Sequence, residues 1–464
     1  MIAQNERQRT RRVWLGVLAG LVVIGAFLGS YYLYLKHSFR GGPAWLVRLM
    51  GEEAPVFVPD PELLQGLQAA PLERNAARPV GEWPQWRGPN RDGVSAETGL
   101  LKEWPEGGPR KVWEAKGGEG YSSFAVAGGK VYTLLQDGDN ETVVCWDAAT
   151  GKEVWRFGYP CRYENSWGSG PRSTPAVHDG LVYTVGATGI FHCLKADTGA
   201  KVWRHDLLDE FKAENLQWGV SFSPLIEGDL VLTNPGGPDG NSIAAFDRKT
   251  GRLIWKALDD PAGYSSPVAA TLAGVRQVLF FTARGLVSVS PADGKELWRY
   301  DWTTEYDANI ATPIVVDDYV FISSGYGRGA AVLKVESADG GLRARRVYQT
   351  NQMANHFSTS VYYREHLYGF TDPGILVCME FRTGKVRWKE RGFDKGSLTI
   401  ADGHLFILGE QGTLALAEAT PEAYREKSRC QPFQGKCWTV PVLCNGRLYL
   451  RDEAKVLCLE VRAP

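Results

Sequence analysis

Nine side chains in this sequence, each a few residues ahead of a short apolar run, are of types that suit binding or catalysis: Trp167, Arg172, Trp218, Tyr264, Asp307, Asn309, His356, Lys395 and Trp438. Tyr121, Ser122, Gln217, Asn355 and Asp394 hold similar places. The indoles offer flat apolar faces on which a planar ring could stack. Arg172 and Lys395 are donors suited to carboxylates, the guanidinium through a two-pronged fork. Asp307 could act as a base or as an oxygen ligand to a metal. His356, standing alone, reads as a hydrogen-bonded residue rather than a ligand. Three uses stay open: aromatic side chains and water plugging a channel, a contact surface for a protein or peptide, or a bound redox cofactor. The choice depends on the elements that bring these residues together.

Those elements are announced by a repeat. Thr-Gly or Asp-Gly, then three residues, then Trp occurs at Thr150-Gly151 to Trp155, Thr198-Gly199 to Trp203, Thr250-Gly251 to Trp255, Asp293-Gly294 to Trp298, and Thr383-Gly384 to Trp388. A period of about 40–50 residues marks one supersecondary unit copied along the chain. Within a copy, Pro175–Val177, Leu181–Val185, Ile190–Leu194 and Ala200–Trp203 are β-forming runs separated by His178-Asp179-Gly180, Ala187-Thr188-Gly189 and Asp197-Thr198-Gly199. Such runs and turns read as a four-stranded antiparallel meander. The opening position recurs at Phe124, Pro175, Pro224, Pro267, Pro313, Ser360, Leu398 and Pro441, which predicts eight units. The fifth has Asp339-Gly340-Gly341 without a Trp, and the seventh has Pro421 and Tyr424 in place of the motif. The last unit stops one strand short, while Lys111-Val112-Trp113-Glu114 carries an unpaired Trp ahead of the first. The expectation is an all-β, eight-bladed β-propeller over residues 83–464, closed by that N-terminal strand so that no sheet edge is left open. An open solenoid is the alternative, and its turns repeat at shorter periods.

The N-terminal segments point to a membrane. Val13 to Leu35 holds no charged side chain and as a helix would span about 34 Å, enough for a bilayer core of about 30 Å. Arg7, Arg9, Arg11 and Arg12 precede it, so residues 1–12 are expected in the cytoplasm and the propeller on the periplasmic side of the cytoplasmic membrane. A cleaved signal peptide is the competing reading, although its apolar core is usually shorter. Residues 36–82 are a Pro-rich juxtamembrane linker with a short helix expected around Glu62–Ala70. Net charge is −1 for the whole chain, which gives no basis for nucleic-acid binding. Of eight cysteines, Cys145, Cys193, Cys378 and Cys458 hold repeat-equivalent places and read as small buried apolar residues. A Cys430–Cys437 loop bridge is possible outside the cytoplasm, and the pairing of Cys161 and Cys444 stays open. No spacing suggests zinc.

The turn-plus-Trp motif resembles the tryptophan-docking repeat of quinoprotein dehydrogenases and their non-catalytic relatives, which form eight-bladed propellers. The segment from Trp83-Pro84-Gln85-Trp86-Arg87-Gly88 to Asp92-Gly93 is similar to the opening of bacterial PQQ-like, BamB-like repeat proteins; its plainer role is a strap packing Trp83 and Trp86 on the ring. For the dehydrogenases, the resemblance implies a PQQ cofactor, Ca²⁺ held by Glu, Asn and Asp, an Asp base and an adjacent Cys-Cys pair. This sequence has no two neighbouring cysteines and no alignable calcium set, and it lacks the lipidated Cys of a BamB lipoprotein. The resulting expectation is a membrane-anchored scaffold that binds protein partners, without a cofactor or metal. A divergent PQQ- and Ca²⁺-dependent alcohol or sugar dehydrogenase is the alternative.

Overall fold

The computed structural model describes residues 60–70, 72 and 80–464. The expected membrane span at 13–35 and the tail at 1–12 lie outside the described residues. Among those described, no helix is long and apolar enough to cross a membrane.

Eight sheets follow one another along the chain, each an antiparallel meander of four strands. Their innermost strands begin at Ala125, Ala176, Leu225, Val268, Ile314, Val361, Ser397 and Val442. Each starts one residue past its predicted opening, except Ser397, which starts one before Leu398. The second blade shows why the chain turns where it does. Asp179 and Gly180 both take positive φ, 48° and 72°, the type I′ geometry that matches strand twist. At the turn between strands three and four, Asp247 of the third blade accepts from the Lys249 and Thr250 amides and from the Thr250 hydroxyl, and Asp147 of the first does the same with Ala149 and Thr150. These carboxylates are turn formers.

Tryptophan docking joins the blades. The Trp of one blade lies on the glycine of the next blade's turn: Trp113 on Gly151, Trp155 on Gly199, Trp203 on Gly251 and Trp255 on Gly294. A Cβ at Gly151 would come within 2.5 Å of the Trp113 ring. The indole N–H donates to a carbonyl of the same turn region, as Trp113 to Ala148 (3.0 Å) and Trp155 to Ala196 (3.1 Å). Across the strand pair, four of the tryptophans face a buried cysteine: Trp155 opposite Cys145, Trp203 opposite Cys193, Trp388 opposite Cys378 and Trp113 opposite Cys458, whereas Trp255 faces Ala245 and Trp298 faces Ser288. In the fifth blade Tyr348 takes the docking role, lying on Gly384 and donating to the Phe381 carbonyl at 2.7 Å. All eight cysteines are free thiols. The suggested Cys430–Cys437 bridge is therefore corrected: Cys430, at the end of the outermost strand of the seventh blade, packs against the apolar core in which Cys437 is buried, and both remain thiols there.

Closure follows the sequence expectation. Arg110–Lys116 pairs antiparallel with Lys455–Glu460 as the outermost strand of the last blade, with Trp113 opposite Cys458. The segment before it packs Trp83 and Trp86 on the ring, as a strap would, and also reaches most of the blades. Trp83 bridges to Val126 of the first blade, and Pro84 accepts from Val177 of the second. Arg91 donates to the Ser223 and Pro224 carbonyls at the third. The Trp86 indole reaches Thr312 before the fifth, and Arg87 donates to Thr359 and Ser360 at the sixth. Val94–Ser95 adds a parallel strand to the seventh, and Glu97 accepts from Asn445 and Gly446 of the eighth. The segment thus crosses the channel and floors it. Arg91 sits there in a desolvated place that brings its pKa down to about 9.

A belt of hydroxyls lies just ahead of the innermost strands. Ser123 N–H donates to Thr174, Thr174 N–H to Ser223, Ser223 N–H to Ser266, and Thr312 N–H to Thr359, each 2.9–3.2 Å. These bonds link neighbouring blades at the neck of the channel.

In a meander, the turns between strands one and two and between three and four share one face of the ring. Connections between blades share the other. Helix α1 (Pro61–Ala69) lies on the first face. Its Leu63 and Leu67 pack with Val316, Tyr319, Tyr362 and Phe381, Arg382 donates to the Leu67 and Gln68 carbonyls, and Arg345 pairs with Asp60 at its start. The helix expected near Glu62–Ala70 is therefore present and docked on the ring.

Candidate functional site

The blade-to-blade connections meet at the face opposite α1 and enclose a cavity of about 430 Å³. Trp167, Arg172, Trp218, Tyr264, His356, Lys395 and Trp438 all line it, as do Tyr121 and Gln217. They reach it because each lies between the outermost strand of one blade and the innermost strand of the next, on the face where those connections gather. Asp307 and Asn309 are not among the lining residues. The Asn309 amide, fully buried, donates to the Thr282 and Trp302 carbonyls (2.7 and 2.9 Å) and accepts from Ser324 (2.8 Å), so it holds the loop together. Asp307 stands exposed at φ 54° beside Tyr306, which does line the cavity.

The wall is a nearly continuous chain of rings. Tyr264 meets Trp218 (centroids 5.4 Å apart), which stacks on Tyr326 (6.2 Å, interplanar 5°). Tyr326 meets His356 (4.9 Å), His356 meets Phe357 (6.1 Å), Phe357 meets Trp438 (5.1 Å), and Trp438 meets Tyr121 (5.1 Å). Arg172 then sits over Tyr121 and Tyr163, 5.8 and 4.8 Å from the ring centroids. Trp86 from the crossing segment, with Ser223, Ser266 and Thr312 of the hydroxyl belt, also lines the space. Trp86, Tyr306, Tyr326 and Phe357 were missed by sequence reasoning. Phe357 directly follows His356, a signal that could have found it. Tyr326 lies on a connection inside a blade, between strands Tyr319–Ser324 and Gly329–Ala338, not ahead of an innermost strand.

Two carboxylates brace the wall from behind. Glu410 accepts from the Trp438 indole N–H at 2.9 Å and from the Lys395 amide at 3.2 Å, and Glu453 accepts from the Tyr121 hydroxyl at 2.9 Å. Burial, then the Glu453 charge, pushes the Tyr121 phenol up, so it stays a donor. The cations that face the cavity are less well matched. Arg172 donates to the Gly168 and Gly170 carbonyls, and burial lowers its pKa. No described carboxylate lies within ion-pair distance of it, and the Lys395 ammonium has no described hydrogen-bond or ion-pair partner. Burial, and then the Lys395 charge, lowers the His356 pKa, which keeps the ring neutral. Its Nδ1 is buried without a hydrogen-bond partner.

Comparison with known proteins fits this architecture. The family profile described as outer membrane protein assembly factor BamB matches residues 106–162 and 139–390. The chain belongs to this PQQ-like BamB family. A BamB of Shewanella oneidensis is 26% identical over 255 residues, which are 52% of this chain and 62% of that protein. A quinohemoprotein alcohol dehydrogenase, ADH IIB of Pseudomonas putida, is 33% identical over 141 residues, 28% of this chain and 20% of that enzyme. The chain thus spans about six tenths of the first relative and a fifth of the second. The crystal structure of BamB from Moraxella catarrhalis superposes with a TM-score of 0.54 at 18% identity, over 76% of this chain and 99% of that one; at that identity the likeness concerns the fold.

The dehydrogenase relatives raise the question of PQQ and Ca²⁺. Calcium takes six to eight oxygen ligands, carboxylates prominent among them. No carboxylate lines the cavity, and no group of three or more His, Cys, Asp and Glu among the described residues is placed to hold a metal. The donor set at the cavity does not fit calcium. Its flat walls and two cations do suit a planar organic anion.

Proposed function

We propose that this BamB-family propeller is a non-catalytic scaffold of the cell envelope that binds protein partners through its aromatic funnel. In this reading Val13–Leu35 anchors it in the cytoplasmic membrane, with the propeller on the periplasmic side. One observation carries the proposal: Trp167 is 58% exposed and Tyr306 48% exposed at the rim of an apolar cavity. Large aromatics left in water beside a concave apolar surface have the character of interface anchors. The relatives named as outer membrane assembly factors support the same direction.

The test uses the full chain in its own membranes. A photo-cross-linking residue replaces Trp167 in one variant and Val154, on the outer surface of the first blade, in another. The expected result is a discrete adduct from position 167 that is absent from position 154 and lost when Trp438→Ala is added. No adduct at 167, or equal adducts at both positions, overturns the scaffold reading.

Quinone-dependent oxidation of alcohols or sugars is the second reading. The match to the alcohol dehydrogenase and the facing of Arg172 and Lys395 onto flat rings favour it. It requires saturable PQQ binding at micromolar quinone, weakened by Arg172→Ala, and dye-linked substrate oxidation with PQQ and Ca²⁺ present. Either result would displace the scaffold reading.

A further inference from the structure

We infer that the funnel receives an acidic peptide segment of its partner, with one aromatic or aliphatic side chain seated among the rings and a flanking carboxylate meeting Arg172 and Lys395. This rests on the scaffold function above and names the chemistry of the partner.

The charge balance of the cavity is one-sided. Both charged residues lining it are cations. Of the acidic groups behind the wall, Glu410 and Glu453 are engaged with the Trp438 indole, the Lys395 amide and the Tyr121 hydroxyl. Glu141 accepts from Tyr159 and Ala187, and the charges of Glu141 and Asp372 act on Arg172 and His356 without forming an ion pair. Arg172 is held between two tyrosine faces and two backbone carbonyls. A desolvated guanidinium without a counter-ion is costly, and one brought by a ligand removes that cost in a strong, charge-assisted contact. A second observation is independent of charge: the buried Nδ1 of His356, in the same wall, lacks a hydrogen-bond partner. Buried polar atoms are normally satisfied, so this nitrogen marks a polar place in the wall that the fold itself leaves unpaired.

Size and rim select a peptide segment. At about 430 Å³ the space is at the small end of ligand pockets. It suits one anchoring side chain and its neighbours. Beyond the cavity, exposed Trp167 and Tyr306 extend the apolar surface outward, where the chain on either side of the anchor would lie. A small enclosed ligand has no use for that outer surface.

The probes are acetyl-Glu-Phe-Glu-amide, its neutral counterpart acetyl-Gln-Phe-Gln-amide, and phenylacetate, titrated calorimetrically into the full chain in detergent. The acidic peptide should bind at least about tenfold tighter than the neutral one and weaken several-fold from low to physiological salt, as charge-assisted contacts do. Lys395→Gln should reduce its affinity about tenfold. Arg172→Gln should do the same, and because that side chain also supports its own loop, Lys395→Gln is the decisive variant. Equal binding of both peptides, or no effect of Lys395→Gln, overturns the proposal. Phenylacetate binding as tightly as the acidic peptide also overturns it, in favour of a small-anion site. Cross-linking from position 167 that persists while excess acidic peptide fails to compete would sink this inference and leave the scaffold reading intact.

Discussion

Trp155 offers a direct test of the docking argument. Its side chain is 8% exposed, lies on Gly199 of the next blade, packs beside Tyr132 (5.9 Å between centroids) and donates to the Ala196 carbonyl at 3.1 Å. Truncation to alanine removes the buried ring and leaves a cavity, which costs about 3–5 kcal/mol. The Ala196 carbonyl is not orphaned, because the Tyr132 hydroxyl also donates to it at 3.2 Å. The lost hydrogen bond therefore adds only its net worth of about 0.5–1.5 kcal/mol, and Trp155→Phe should cost about 1–2 kcal/mol. A folded ring over residues 80–464 should have an unfolding entropy of about 0.8 kcal/mol/K. On that scale Trp155→Ala lowers Tm by about 4–8 °C and Trp155→Phe by about 1–3 °C. Val154→Ala, one residue away and 45% exposed on the opposite side of the strand, should stay within about 1 °C. A further arm uses Gly199→Ala, which places a methyl 2.6 Å from the indole at φ 70°. It should be destabilising alone and clearly less so with Trp155→Ala, since the clash disappears with the ring. Differential scanning calorimetry reads all of these. Additive effects of the pair, or a Val154→Ala shift as large as that of Trp155→Ala, would refute the docking account.

Three other perturbations follow from named contacts. Glu141 is fully buried, accepts from Tyr159 (2.5 Å) and Ala187 (2.9 Å), and burial raises its pKa above 4.5. Its contribution is complete below about pH 4.5 and lost as pH rises through the folded value, so Glu141→Gln should gain stability relative to the parent between pH 4.5 and 8; Tm against pH checks the sign, and a variant that gains only in acid contradicts it. Leu67→Asp puts a charge where α1 meets the ring, so limited proteolysis should cut within residues 60–72 while the ring keeps its melting temperature within a few degrees; unchanged cleavage would show that the docking is not needed. Arg87→Ala leaves the Thr359 and Ser360 carbonyls without their cationic donor and should cost about 3–5 kcal/mol, read as a fall in Tm several times that of an exposed Arg156→Ala control.

Blade number, strand order and closure were legible because each rests on a strict local requirement. A turn glycine with positive φ and an indole four residues later can be read from one strand of text. The fifth blade hid its docking residue because its outer hairpin is long, with strands Gly329–Ala338 and Gly341–Thr350. Tyr348 therefore stands eight residues past Gly340 instead of four. The site was legible where a residue's place ahead of an innermost strand decided its direction, as for Trp218, His356 and Trp438. It failed at Asn309, whose amide is taken up by the Trp302 carbonyl of its own loop and by the Thr282 carbonyl of the preceding strand connection. Sequence spacing holds no record of such partners. The same limit concealed the floor: Trp83 and Trp86 stood out, but the carbonyls that receive Arg87 and Arg91 belong to the sixth and third blades.

That floor changes what the funnel can do. A propeller channel open at both ends lets solvent and ligands enter from either face. Here Trp86 is tied to Thr312, and Arg87 and Arg91, which follow it, are bonded to the sixth and third blades, so the crossing segment lies across the end of the cavity away from its aromatic rim. Blade-to-blade cohesion comes from indole docking and the hydroxyl belt. Neither uses the side chains of Trp167, Lys395 or His356. Residues at the rim are thereby released from holding the ring shut, and their exposure is a cost that folding does not require. Selection of aromatic and cationic side chains at that place is most simply explained by what enters from the open face, which is why the charge and shape of the funnel, and not the propeller itself, decide among the functions this fold can carry.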